Sequence, residues 1–168
     1  MAREAAGRLD RVVVGNIESM PLPREAAPYD CIVLGDILEH LLDPWKLLER
    51  LREVLAPGGS VVASIPNVQH YRVVRSLLAG RWEYRRQGIL DRTHLRFFTR
   101  KSLPALFEGA GYAVVEVRRK VRASWKWRAL NRLAAGLLAD FVTFQYLVRA
   151  VNSADPAPPT AARCARRS

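Results

Sequence analysis

Long apolar runs are missing from this 168-residue chain, and none approaches the ~20 residues that span a bilayer. The nearest stretch, Leu130 to Val151, is broken by Arg132, Asp140, Gln145 and Arg149, which argues against a span. No charged segment followed by an apolar core opens the chain, so a secretory leader is not expected and a cytoplasmic setting is. Cysteine is scarce. Cys31 falls in an apolar run and Cys164 in a polar tail, a placement that argues against their pairing and suits a reducing compartment. Histidine is scarcer relative to its uses: His40, His70 and His94 are scattered along the chain, neither cysteine sits at ligand spacing, and no metal site is expected. Glycine is present at ten positions but never as a Gly-x-Gly-x-Gly turn; the one close pair, Gly109 and Gly111, reads as the capping of a helix C-terminus. Acidic residues thin out along the chain, so that residues 1–60 carry a net −3 and residues 61–168 a net +14. Such a basic field can attract an anionic membrane surface, nucleic acid or a phosphorylated substrate, or it can be arginine on solvated faces.

What is present is an apolar share of 49%, enough for one packed domain. The expected organisation is a domain over residues 1–151, with 67–101 as a lid or substrate insertion, and a disordered basic tail over 152–168.

The centre of the chain carries the clearest pattern. Tyr29 to Leu34 is a near-continuous apolar run, as in a strand buried on both faces, and it ends in Gly35-Asp36-Ile37-Leu38-Glu39-His40. Asp43-Pro44 then starts a helix, with a carboxylate to cap free N–H groups and a proline where no hydrogen bond is lost. Leu47, Leu48, Leu51, Val54 and Leu55 recur at helical spacing, and Pro57-Gly58-Gly59 ends the helix and turns the chain into a strand from Ser60 to Ile65. Strand, helix and strand make one parallel crossover unit, with polar groups at the carboxyl end of the first strand, where open α/β sheets place their sites.

Around this unit, residues 1–10 read as the last turns of a helix and Arg11 to Ile17 as a short buried strand. Residues 67–101 show no clean period. Ser102 caps a helix ended by Gly111, Tyr112 to Val121 alternates as a strand, residues 125–139 read as helical, and Phe141 to Val151 as a final strand.

Several blocks together carry a resemblance: Val14-Gly15-Asn16-Ile17-Glu18, Tyr29 through Leu41, Asp43-Pro44, and Leu55-Ala56-Pro57-Gly58-Gly59. Residues 11 to 151 resemble the later two-thirds of a class I S-adenosylmethionine (SAM)-dependent methyltransferase. Gly88-Ile89-Leu90-Asp91-Arg92-Thr93-His94-Leu95-Arg96-Phe97-Phe98-Thr99 is similar to a block in the bacterial subgroup found among cell-surface polysaccharide genes. The resemblance implies an α/β fold: a partial Rossmann-like methyltransferase sheet with flanking helices, lacking the first two strands and the Gly-rich cofactor turn. In the family's strand order, 3-2-1-4-5-7-6, those two strands lie between Val12–Ile17 and Cys31–Leu34, leaving unpaired edges unless the two segments pair with each other, with another chain or with residues outside this sequence. A start further upstream, or a gene fragment with Met1 inside the helix before the third strand, is the expectation that follows.

The resemblance also implies roles. Asn16 and Ile17 lie by the adenine of SAM, and Gly35, Asp36, Ile37 and Leu38 by its methionine end. Asn16 stands where the family usually has Asp; its alternative is to close a turn. His40, next to Glu39, can act as a general base or orient a hydroxyl, or both residues can brace the neighbouring helix. His94 offers a second base, oriented by Asp91, in a loop covering the pocket; alternatively the block packs the lid through Leu95, Phe97 and Phe98.

The leading function is therefore transfer of a methyl group from SAM to a small-molecule or glycan hydroxyl. The alternative is a non-catalytic remnant whose basic surface binds a membrane, nucleic acid or a partner chain. Trp125, Lys126, Trp127, Arg128 and Arg132, after Arg118, Arg119, Lys120 and Arg122, could rest peripherally on an anionic membrane; nucleic acid is the less expected partner, and the oligomeric state is not legible.

Overall fold

The computed structural model describes residues 4–152 apart from 6 and 26. Its centre is a four-stranded sheet: β1 (Tyr29–Gly35), β2 (Leu55–Pro66), β3 (Tyr112–Val121) and β4 (Thr143–Asn152), in the order β1-β2-β4-β3. β1 and β2 are parallel, and β4 runs antiparallel to both β2 and β3. That is the 4-5-7-6 portion of the expected order, with the expected α/β class.

Helix α1 (Pro44–Arg52) makes the crossover between β1 and β2, and the Asp43 carboxylate accepts from the Lys46 N–H at 3.0 Å while Pro44 takes the first position. Its Leu47, Leu48 and Leu51 join Leu103, Leu106 and Phe107 of helix α3 (Ser102–Gly109) in the core on one face of the sheet. Tyr112 closes this layer, its hydroxyl donating to the Leu48 carbonyl at 2.9 Å. Burial of each such side chain contributes about 1.5–3 kcal/mol, which is why helix and sheet hold each other in place.

Five expectations are corrected. Arg11 to Ile17 forms no strand: Val13 is 50% and Val14 79% exposed, and the segment does not pair with β1. A strand exists only as part of a ladder, and nothing among the described residues stands between this segment and β1 to supply one. Pro57-Gly58-Gly59 lies inside β2, which starts at Leu55. It forms a bulge, since Tyr29 pairs with Leu55 but Cys31 with Ser60. Gly59 is required there, because a Cβ would sit 2.8 Å from the Ala56 carbonyl oxygen and 3.0 Å from that of Tyr29.

Within 67–101 a regular helix, α2 (Tyr71–Leu78), follows His70, which serves as its N-cap. The expected helix over 125–139 is instead α4 (Trp125–Leu133), a set of turns, and the short α5 (Ala139–Val142), broken where Ala135 and Gly136 take positive φ. Ser102 opens α3 as a helical residue and braces Thr99, its Oγ accepting from the Thr99 N–H at 2.9 Å, instead of standing outside as the cap. Of residues 1–10, expected as the last turns of a helix, residues 4 and 5 are helical and 7–10 are turns and bends. The tail from residue 153, and with it Cys164 and its relation to Cys31, lies outside the described residues.

Candidate active site

β1 ends at Gly35, and the chain turns at Asp36, whose φ of +52° is the left-handed conformation that few residues other than glycine, asparagine and aspartate take. Strain of this kind persists only where the surroundings fix it. Here Ser64 Oγ, at the carboxyl end of β2, accepts from the Asp36 N–H and donates to the Asp36 carboxylate, both at 3.0 Å. Gln145 of β4 donates to the same carboxylate oxygen, and Lys120 Nζ of β3 donates to the Gln145 side-chain oxygen Oε1 at 3.3 Å. Three strands thus converge on Asp36.

Ile37 leads into a single turn of 3₁₀ helix, Leu38–His40. Leu38 is fully buried in the core and does not line the cavity. Ile37 packs on the same core from a half-buried position. A Cβ on Gly35 would meet nothing within 4 Å: open space lies directly over the strand end.

The backbone carbonyl of Glu39 accepts from the N–H groups of both Leu95 (2.8 Å) and Arg96 (3.0 Å). Arg96 adds hydrogen bonds to the Leu42 carbonyl. These bonds dock the Asp91–Phe98 loop on the turn, and they bring together two histidines 54 positions apart in the sequence. The rings of His40 and His94 stand edge to face at 4.7 Å, so the histidines scattered along the chain are not all scattered in space.

Each ring is oriented through Nδ1. That of His94 lies 2.9 Å from the Ile89 carbonyl, and that of His40 lies 3.2 Å from the Thr93 carbonyl and 3.1 Å from the Thr93 hydroxyl. Asp91 does not orient His94. Its carboxylate accepts from the N–H (2.8 Å) and hydroxyl (2.6 Å) of Thr93, bonds that hold it below the usual carboxylate range, and it acts on His40 through Thr93. Leu95, expected in the core, is 49% exposed, whereas Phe98 is buried and Phe97 packs on a smaller cluster with Ile89 and Leu90.

Beside the two histidines is Glu39, 1% exposed, with neither carboxylate oxygen hydrogen-bonded among the described residues. Burial, reinforced by the nearby Asp36 charge, pushes its pKa up to about 7. It caps no helix; that work falls to Asp43. Glu39, His94 and Asp36 line a cavity of about 520 Å³, with His70, Arg72, Arg85, Lys120 and Arg122 on the other walls.

Asn16 and Ile17 are not among the residues lining this cavity. Asn16 Oδ1 accepts from the Glu18 N–H at 2.9 Å, closing the turn expected as its alternative. Arg50 of α1 pins the segment by donating to the carbonyls of Ile17 (3.0 Å), Glu18 (2.8 Å) and Met20 (2.5 Å), and Glu18 accepts from the Asp43 N–H. The segment is tethered although it is no strand.

Ser64, Gln145, Arg50 and Asn67 were not expected as site supports. Asn67 is fully buried just beyond β2 and donates to the carbonyls of Asp140 (2.7 Å) and Thr143 (2.8 Å), fixing the start of β4. A polar residue at a strand's carboxyl end was the signal for Ser64 and Asn67. For Gln145 and Arg50 only the tertiary pairing identifies the partner. Of the basic and aromatic patch, Trp127 stacks on Tyr71 at 4.6 Å, and Trp125 is 74% exposed.

Residues 3–117 match a family described as a methyltransferase domain. The ubiquinone biosynthesis O-methyltransferase of Cereibacter sphaeroides is 29% identical over 119 residues, covering 68% of this chain and 46% of that protein. The chain therefore spans about half the length of the curated relatives it matches. Among solved structures, a SAM-dependent methyltransferase of Thermotoga maritima, described as a possible histamine N-methyltransferase, superposes with a TM-score of 0.61 at 18% identity, over 90% of this chain and 69% of that one. A SAM-dependent methyltransferase of Archaeoglobus fulgidus gives 0.58 at 17% identity, over 89% and 70%. At these identities the structural likeness is one of fold, and it is the 115-residue match that carries the assignment. The turn at Asp36, the half-sheet behind it and the matched sequence agree: the chain belongs to the methyltransferase-domain family.

Proposed function

We propose that this chain forms the acceptor side of a SAM-dependent methyltransferase acting on the hydroxyl of a small molecule. The observation that carries the reading is the end of β1: a strained, triply supported Asp36, open space over Gly35, and a cavity beside them lined by Glu39 and His94. Backbone at Gly35 and Asp36 with no side chain above it fits the methionine end of SAM, and Ile17, half-buried beside α1, fits a flat adenine. Asn16 would meet the adenine only by giving up its bond to Glu18. When bound, SAM supplies a methyl group on a positively charged sulfur.

The chain's own part is to place an oxygen in line with that methyl and to take up its proton. Because Nδ1 of His94 donates to a carbonyl, its Nε2 holds the lone pair, as a proton acceptor must. His40, oriented by Thr93 and Asp91, stands beside it as a second acceptor. The likeness to O-methyltransferases of ubiquinone biosynthesis supports a small-molecule hydroxyl. So does a structural neighbour from neocarzinostatin biosynthesis, an O-methyltransferase in complex with S-adenosyl-L-homocysteine and a dihydroxynaphthoic acid, at a TM-score of 0.51. A glycan hydroxyl belongs to the same chemistry.

Calorimetric titration with S-adenosyl-L-homocysteine tests the reading. Saturable binding that weakens at least about tenfold in Asp36→Ala, the loss of one or two charge-assisted contacts, is the expected result. A folded chain that evolves no heat at millimolar ligand refutes it.

A further inference from the structure

Glu39 poses a problem that methyl transfer alone does not solve. A buried carboxylate with no hydrogen-bond partner is unfavourable, and such groups are normally paired or bound to a cation. Around it, one nitrogen of His40, one nitrogen of His94 and one Glu39 oxygen all lie within 4.8 Å of one another. Both imidazoles are fixed the same way: Nδ1 faces a backbone carbonyl, Thr93 for His40 and Ile89 for His94. Each therefore carries its lone pair on Nε2. A ligating histidine is typically held by a hydrogen bond from its other nitrogen to a carbonyl or carboxylate, as both of these are.

We propose that Glu39, His40 and His94 form a binding site for a divalent transition-metal ion. Two imidazoles and one carboxylate are a donor set for zinc, iron, cobalt or manganese, not for calcium or magnesium, which take oxygen ligands. Ligand atoms about 2.1 Å from a tetrahedral ion stand roughly 3.4 Å apart, so side-chain rotations of about an ångström close the site. Three protein ligands leave a position open, and the cavity lined by Glu39 and His94 is where it opens.

The ion's use rests on the methyl-transfer reading, though its binding does not. An acceptor hydroxyl coordinated at the open position has its pKa lowered, so its O–H bond breaks with the proton passing to water and the lone pair staying on oxygen. That oxygen then forms the bond to the methyl carbon as the carbon–sulfur bond breaks. The ion replaces His94 as the group that makes the hydroxyl reactive, and the histidines hold the ion.

The test uses the full chain, stripped with chelator and titrated with cobalt(II) and zinc(II) in the absence of SAM. Uptake is followed by equilibrium dialysis and by the visible spectrum of the cobalt form. The expected result is one ion per chain, with affinity reduced at least about tenfold in Glu39→Gln and in His94→Gln. Far-ultraviolet circular dichroism verifies that both variants are folded, and Glu39→Gln, nearly isosteric and uncharged, is the milder of the two. No uptake by the folded wild type, or uptake unchanged in both variants, overturns the proposal. A chain that binds S-adenosyl-L-homocysteine but no metal loses this inference and keeps the methyl-transfer reading, and the opposite result does the reverse.

Discussion

At the scale of single residues, this site is built from polar side chains whose partners lie far off in the sequence. His70 shows how tightly such groups are set. It is buried, its Nε2 donates to the Arg122 carbonyl at 3.1 Å, and its Nδ1 accepts from the Arg72 N–H at 3.4 Å. Burial lowers its pKa from the ordinary 6.5, and the Arg72 charge lowers it further. The unfolded chain therefore takes up a proton that the folded chain resists, and acid favours unfolding once the pH falls through 6.5. We expect wild type to lose stability relative to His70→Asn, which keeps a capping side chain, between pH 7 and 5. Above pH 7 the two run parallel in urea denaturation. Among the site residues, Asp36, His40 and His94 were legible because polar groups at a strand end or in a His-bearing loop stand out. Gln145 and Arg50 were not, since a polar residue within a strand or helix declares no partner.

Elements obey a different rule: a pattern proposes a segment and a neighbour decides it. The helix after Asp43-Pro44 formed as its caps and leucine spacing dictated, because those signals are local. Val12-Val13-Val14 reads as strand, and it is coil, because β structure requires a ladder the described residues do not provide. Gly111 illustrates both influences. It ends α3 with φ of +83°, as a glycine after a helix should, and the Arg52 guanidinium occupies the space a side chain would need, with its Nη1 atom 2.0 Å from where a Cβ would lie. Arg52 cannot withdraw freely, being bound to Asn152 at 2.8 Å and stacked over Tyr112 at 6.0 Å. Gly111→Ala combines a strained backbone with a displaced guanidinium. The expected cost is about 2 kcal/mol, read as a lower urea midpoint with unchanged slope.

Over the whole molecule, charge and topology meet at the cavity. The basic second half of the sequence supplies Arg72, Arg85, Lys120 and Arg122 to its walls, against Asp36, Glu39 and Glu83. An acceptor bearing a carboxylate should bind about tenfold more tightly than its neutral amide at low ionic strength, with the advantage fading above 0.3 M salt, where screening shortens to a few ångströms. Equal affinities at both salt levels would show that the basic residues face solvent alone. The sequence by itself determined the parallel crossover unit, the family and the position of the strand-end turn, because caps, periodicity and short motifs act within a few residues. Only the tertiary structure decided that Val12–Val14 is coil, that Asp91 acts on His40 through Thr93, and that Glu39 is buried beside His40 and His94 with no hydrogen-bond partner among the described residues. Those outcomes depend on which segments pair and which loop docks on which turn, and such contacts between residues more than fifty positions apart leave no periodic trace in the chain.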